Sequence, residues 1–249
     1  MTGESLEGKV ALVTGGARRV GAAIVRRLHG AGARVVLHYR GSERDAVRLE
    51  AELEAARAGS VRRVAQDLLA PGAAEVLVSV AREAFGRLDV LVNNASIFYP
   101  KKIGRVELRH WDELVGANLR APLFLAQAAA PQLREARGVI VNITDIHADR
   151  PLKGFPVYSI AKAGLAAMTR SLALELAPEV RVNAVAPGAI AWPEDDKFEN
   201  VERKRIVATT PLGRIGDPSD VAQAVHFLVS APFVTGQTIA VDGGRSIFI

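Results

Sequence analysis

The chain has 249 residues, 49% of them hydrophobic and 24% charged, which suits one large soluble α/β domain with a substantial core. It contains no cysteine, so disulfides, thiolate catalysis and Cys-ligated metals are excluded. Its excess of five positive charges and its pI near 9.8 come from scattered Lys and Arg rather than a basic run interleaved with aromatics; an anionic small ligand accounts for them, and no nucleic acid is expected.

Short runs rich in Val, Ile and Leu alternate with helix-like stretches along the whole sequence. "KVALVTG" (9–15) reads as the first strand, and helix follows near 20–30. Then come "RVVLHY" (34–39) with helix at 43–58, "VRRVAQDL" (61–68) with helix at 72–86, and "DVLVNNA" (89–95) with helix at 110–136. "GVIVNIT" (138–144), helix at 157–177, "VRVNAVAPG" (180–188), helix at 218–230 and "QTIAVDGG" (237–244) complete the series. Apolar residues on consecutive strand positions fit a parallel sheet covered on both faces. Strict β–α alternation with right-handed crossovers then gives a doubly wound sheet. No repeat or linker divides the chain, so a single domain over 1–249 is expected, and the irregular segment 189–216 is the candidate substrate lid. The start "MTGESLEGKV" lacks an apolar signal core, and no run of about 18 uncharged apolar residues could span a bilayer; a cytoplasmic protein without membrane contact is the expectation.

The loop "TGGARRVG" (14–21) follows the first strand directly. Small residues there permit a tight turn, and the next helix offers free N–H groups to a pyrophosphate. A T-G-x-x-x-G-x-G pattern would put glycine at position 19, but this chain has Arg19, whose guanidinium can lean over a pyrophosphate toward a substrate; the plainer reading is a solvated arginine. The second strand ends in "HYRGS", with no acid to bind a ribose 2′-hydroxyl. Arg18, Arg40 and Ser42 favour a 2′-phosphate instead, hence NADP over NAD. Asp67 is placed to cap an adenine edge, and "NNA" (93–95) to line the ribose side.

Tyr158 and Lys162 lie one helical turn apart on a common face. An ammonium close to a phenol stabilises the phenolate, so a lowered tyrosine pKa and a general-acid role are expected for Tyr158. Lys162 is also within reach of nicotinamide ribose hydroxyls. Asp145 stands thirteen positions before the tyrosine.

"TGGARRVG", "NNA", Asn118 in "GANLRAP", "YSIAK", "PG" at 187–188 and "VDGG" at 241–244 occur in this order. Together they resemble the short-chain dehydrogenase/reductase family across essentially the whole chain. The resemblance implies a seven-stranded Rossmann sheet, with Asn118 holding a proton-relay water. It also implies a cofactor cleft along Gly15, Val20 and Gly21, then His38 and Tyr39, then Leu68, Asn94, Ala95 and Ser96. Tyr158 and Lys162 complete that cleft, with Pro187, Gly188 and Ile190 beyond the sixth strand. Most members carry serine where Asp145 stands. An ionised carboxylate donates no hydrogen bond and repels a developing alkoxide, so ketone reduction is poorly served, whereas a substrate with ring N–H donors is well served.

The pteridine reductase branch of that family has an Asp-Tyr-Lys set at this spacing, and it is similar in "NNASIFYP" (93–100), Arg19 and "RSLALELAP" (170–178). The resemblance implies that Phe98 stacks on a pterin lying over the nicotinamide, with Arg19, Ser96, Asp145 and Tyr158 around it. The chain departs from the branch at Gly41, where a basic residue is usual, and in most of the lid. The expected activity is NADPH-dependent reduction of dihydropterin or dihydrofolate. A generalist carbonyl reductase, for example of 3-oxoacyl thioesters, is the nearest alternative, and a redox-silent NADP-binding regulator is another. Plainer readings stand beside these: Asp145 bonding a neighbouring loop, Phe98 packing the lid, and Glu194, Asp195 and Asp196 as a solvated cluster rather than a metal site. Among the five histidines, His147 stands close to Asp145, and the others fit no ligand spacing. The helices at 110–136 and 157–177 are apolar over more than one face, so a homotetramer is expected.

Overall fold

The computed structural model describes residues 5–192 and 200–248. These residues form a seven-stranded, wholly parallel sheet in the order β3-β2-β1-β4-β5-β6-β7. The strands are β1 (Val10–Val13), β2 (Arg34–Tyr39), β3 (Val61–Ala65), β4 (Val90–Asn93), β5 (Val139–Ile143), β6 (Arg181–Pro187) and β7 (Thr238–Val241). The helices are α1 (Arg19–Gly30), α2 (Glu43–Ala56), α3 (Ala73–Phe85), α4 (Leu108–Val115), α5 (Ala121–Ala136), α6 (Pro156–Glu175), α7 (Asn200–Ala208), α8 (Pro218–Ser230) and the short α9 (Arg245–Phe248).

Successive strand residues feed opposite cores, which is why the strands read as unbroken apolar runs. Ala11 and Val13 face α1, α2 and α8, while Val10 and Leu12 face α3, α5 and α6. The chain order reverses between β1 and β4, and a crevice opens there at the carboxyl ends of the strands, the usual position for a ligand in such sheets.

Two expectations about the elements need correction. The helix expected over 110–136 is two α-helices joined by a π-turn, Gly116–Arg120. The Asn118 amide donates to the Leu114 and Ile97 carbonyls, each at 2.9 Å, and so stabilises the extra residue with a contact from another loop. The lid segment is not wholly irregular, because α7 lies within it. Its base is closed by backbone bonds from Gly216 N to Ala189 O (2.9 Å) and from Ala191 N to Gly216 O (3.1 Å). Glu194, Asp195 and Asp196 lie outside the described residues. No helix among the described residues is long and apolar enough to cross a membrane, and no group of three or more His, Cys, Asp and Glu there could hold a metal ion.

Candidate active site

A cavity of about 590 Å³ runs along the carboxyl ends of β1, β2, β4 and β5. Its first wall is the glycine loop. Gly15 takes a left-handed φ of +60°, and a Cβ on Gly21 would sit 2.0 Å from the Gly15 carbonyl oxygen, so only glycine permits this turn. Thr14 Oγ1 accepts from the backbone N–H groups of Asn94 and Ala95, both at 3.0 Å, and the Asn94 amide donates to the Thr14 and Gly15 carbonyls. β1 and β4 are thereby clasped beneath the loop.

His38 holds the loop from the other side. Its Nδ1 accepts from Gly15 N at 3.1 Å and its Nε2 lies 2.9 Å from Gln66 O, which fits a neutral ring protonated on Nε2. Burial keeps its pKa below the ordinary histidine value. His38 therefore borders the cavity as a strut. Tyr39, expected beside it at the cofactor, instead points into the core between α1 and α2, where its hydroxyl accepts from Arg63; alternation along the strand sends it to the opposite face.

Arg18, Arg40 and Ser42 line the far end of the cavity, and Arg18 pairs with Asp45 at 3.4 Å. Asp67 and Leu68 border it from the loop after β3, and Asn94, Ala95 and Ser96 from the loop after β4. Gly41, where the chain departs from the branch, also lines it, as do Gln66 and Thr144, which carry no motif in the sequence. Arg19 adopts a φ of +50°, an unfavourable conformation for an L-residue that accounts for glycine in the commoner pattern. Its guanidinium borders the cavity and donates to the carbonyls of Ala191 (3.0 Å) and Ile190 (3.4 Å), fastening the start of the lid. Pro187 lines the cavity, whereas Gly188 packs against Asp242, and Ile190 pairs with Gly216 at the lid's base.

At the catalytic end, the Tyr158 hydroxyl donates to Asp145 Oδ2 at 2.6 Å, a short charge-assisted bond. Asp145 Oδ1 accepts from His147 N at 2.8 Å, so a single 3-10 turn, Ile146–Ala148, fixes the carboxylate. His147 contributes that backbone N–H, while its own ring bonds the Arg150 carbonyl. Lys162 is buried, and its ammonium donates to Ile143 O at 2.8 Å.

The expected lowering of the Tyr158 pKa is not found. Burial, followed by the Asp145 charge and hydrogen bond, holds the phenol well above its ordinary value. Lys162 lies 5.8 Å from the phenol ring centroid and spends a hydrogen on Ile143. Burial pushes Lys162 itself down to about 8. The pair therefore comprises a protonated phenol beside a carboxylate, with an ammonium that is easily neutralised.

A pH dependence follows. Between about 8 and the ordinary lysine value of 10.5, the unfolded chain holds a proton that folded Lys162 has released, so folding stability from this group rises with pH across that window. Activity moves the other way. With Tyr158 titrating far higher, kcat/KM for the cofactor, measured from pH 6 to 10, should fall on an alkaline limb near 8.

Ser96 Oγ donates to Asn118 Oδ1 at 2.6 Å, so the serine hydroxyl is fixed by the π-turn. The Asn118 side chain is fully committed between Ser96, Ile97 and Leu114. Phe98 sits edge-on to Tyr158 at 4.8 Å and stacks on Phe155 at 4.5 Å and 10°. Phe155 was not foreseen; its only sequence signal is its position one turn before the tyrosine. The cavity thus ends in a phenol, a carboxylate and an ammonium, and Phe98 and Phe155, which do not line it, pack behind the phenol through the edge contact of Phe98.

A family model described as enoyl-acyl-carrier-protein reductase matches residues 15–246. Pteridine reductase 1 of Leishmania tarentolae is 38% identical, the match covering 96% of each chain. The 3-oxoacyl-acyl-carrier-protein reductase of a Synechocystis species is 36% identical over 98% of this chain and 99% of the relative. A crystal structure of a short-chain dehydrogenase/reductase of glucose/ribitol dehydrogenase type from Brucella melitensis superposes with a TM-score of 0.89 at 32% identity, covering 98% of both chains. A nicotinamide cofactor is implied by such relatives, and the glycine cradle and the donors around it fit the pyrophosphate of a dinucleotide. The ordered motifs, the sheet with its crevice and these matches lead to one conclusion: the chain is an oxidoreductase belonging to the short-chain dehydrogenase/reductase family.

Proposed function

We propose that the protein is an NADPH-dependent reductase of pteridines, converting a dihydropterin or dihydrofolate to its tetrahydro form. The observation that carries this reading is Asp145, whose carboxylate lies 2.6 Å from the Tyr158 hydroxyl at the end of the cavity. A carboxylate there accepts N–H bonds from a 2-amino-4-oxo ring edge and opposes the oxyanion of a ketone. NADPH, when bound, supplies the hydride to a ring carbon. Tyr158 holds the proton for the adjacent nitrogen, Lys162 stabilises the phenolate that remains, and Asp145 orients the donor and the ring. Phe98 and Phe155 offer flat surfaces that keep water from the reacting end, and Ser96 and Arg19 supply polar contacts at its edge.

Steady-state NADPH oxidation with dihydrobiopterin and dihydrofolate tests the reading directly, and turnover of neither removes it. A panel of ketones and 3-oxoacyl thioesters tests the carbonyl reductase alternative, which similarity to a 3-oxoacyl reductase favours. NADPH binding without turnover of any of these substrates would point to a regulator.

Specificity for NADPH is assigned to Arg40 and Ser42. Replacing a cation by an anion at a 2′-phosphate removes a charge-assisted bond and adds repulsion. Arg40→Asp should therefore raise KM for NADPH by about one to two orders of magnitude while lowering it for NADH. Parallel titrations with the two cofactors check this.

Leu123 and Phe124 on α5 and Ile160 on α6 are exposed. We infer a homotetramer that covers them, to be checked by light scattering.

A further inference from the structure

Two loops adjoin the catalytic end through the contact of Phe98 with Tyr158, and both are basic. The first continues from Phe98 through Lys101, Lys102 and Arg105; the second runs through Arg150 and Lys153 to Phe155. The stack of Phe98 on Phe155 joins them, and Lys101 N donates to Gly154 O at 2.9 Å, so Lys101 lies beside Lys153. A turn closed by Arg105 N on Lys102 O (3.0 Å) holds Lys102 and Arg105 close together on the first loop. Lys102, Arg105, Arg150 and Lys153 are exposed. Asp149 is the one carboxylate within these two segments, and the nearby Glu107 is already paired with Arg109 at 2.9 Å. Five cations and one carboxylate, Asp149, thus lie on two loops that the Phe98–Phe155 stack joins beside Tyr158.

We propose that this rim binds the glutamate chain of a folate, so that dihydrofolates carrying several glutamates are the preferred substrates. The proposal rests on the pteridine reading above. A pteridine placed against Tyr158 and Asp145 directs its benzoylglutamate arm past the Phe98–Phe155 pair to solvent. The successive carboxylates of that arm then meet Lys102, Arg105 and Lys153. Such exposed contacts act collectively, across roughly a Debye length of about 8 Å, and weaken with salt. An unconjugated pterin has no such arm and gains nothing from the rim.

The test compares dihydrofolate bearing one, three and five glutamates with dihydrobiopterin at low and high ionic strength. It uses the native chain, a Lys102→Glu/Arg105→Glu/Lys153→Glu variant and the corresponding Gln variant, and calorimetric binding of the same ligands is measured alongside turnover. In the native enzyme KM should fall about five- to tenfold from one glutamate to five at low salt, with kcat unchanged. High salt or the Glu substitutions should abolish that advantage, and the Gln substitutions should reduce it, while dihydrobiopterin kinetics stay the same. Equal KM and equal affinity at all tail lengths would overturn the proposal. So would a rim that affects only thioesters borne on an acidic carrier protein. Tail-dependent binding without any turnover would leave the rim intact and remove the pteridine reductase reading instead.

Discussion

Tyr158→Phe should lower kcat by about three orders of magnitude, the loss expected when a positioned proton donor is removed. Cofactor affinity should change little, because Lys162 is held by Ile143 O rather than by the phenol. The fold should survive as well. The lost hydroxyl donates to Asp145 Oδ2, and that half-buried carboxylate keeps its bond from His147 N. Thermal unfolding should therefore shift by no more than about 1 kcal/mol of stability. Single-turnover measurement with saturating NADPH separates the outcomes. A slow chemical step with normal binding supports Tyr158 as the donor; undiminished chemistry would transfer that role to Asp145 or to water.

The protonated state of that tyrosine illustrates what the sequence could not reveal. Spacing placed Tyr158 and Lys162 on one helix face, and α6 carries them so. It could not show that burial and Asp145 together outweigh the ammonium, since those depend on which loops close over the site. The sheet was legible because burial on both faces produces unbroken Val/Ile/Leu runs, and the glycine loop because Gly15 and Gly21 have no alternative residue. The π-turn at Asn118 was hidden, since the Ile97 carbonyl that supports it comes from a distant loop. The Tyr39 side chain lies in the core rather than along the cavity, because adjacent strand residues point to opposite faces and His38 takes the cavity side. Arg19 borders the cavity, but its bonds to Ile190 and Ala191 were hidden because they depend on a segment with no regular pattern.

Asp145→Ser should separate the two substrate classes. Serine restores a neutral donor for a carbonyl oxygen and removes the acceptor for ring N–H groups. Hydrogen bonds to a charged partner are worth about 1.5–3 kcal/mol, so kcat/KM for dihydropterin should drop by roughly 10- to 150-fold. NADPH affinity should remain within about threefold, because the glycine cradle and the basic far end of the cavity are untouched. Loss of the Asp145 charge also removes a contribution that raises the Tyr158 pKa, although burial, the larger cause, persists. The phenol should then donate more readily, and turnover of simple ketones should rise from a low base. Asp145→Asn tells charge from shape: it retains an acceptor oxygen but not the anion, and its pterin rate should fall between those of serine and aspartate. If the serine variant and the parent reduced dihydropterin equally, the carboxylate would be a loop-bonding group held by His147, and the choice of a ring nitrogen over a ketone oxygen would have to come from another part of the cavity.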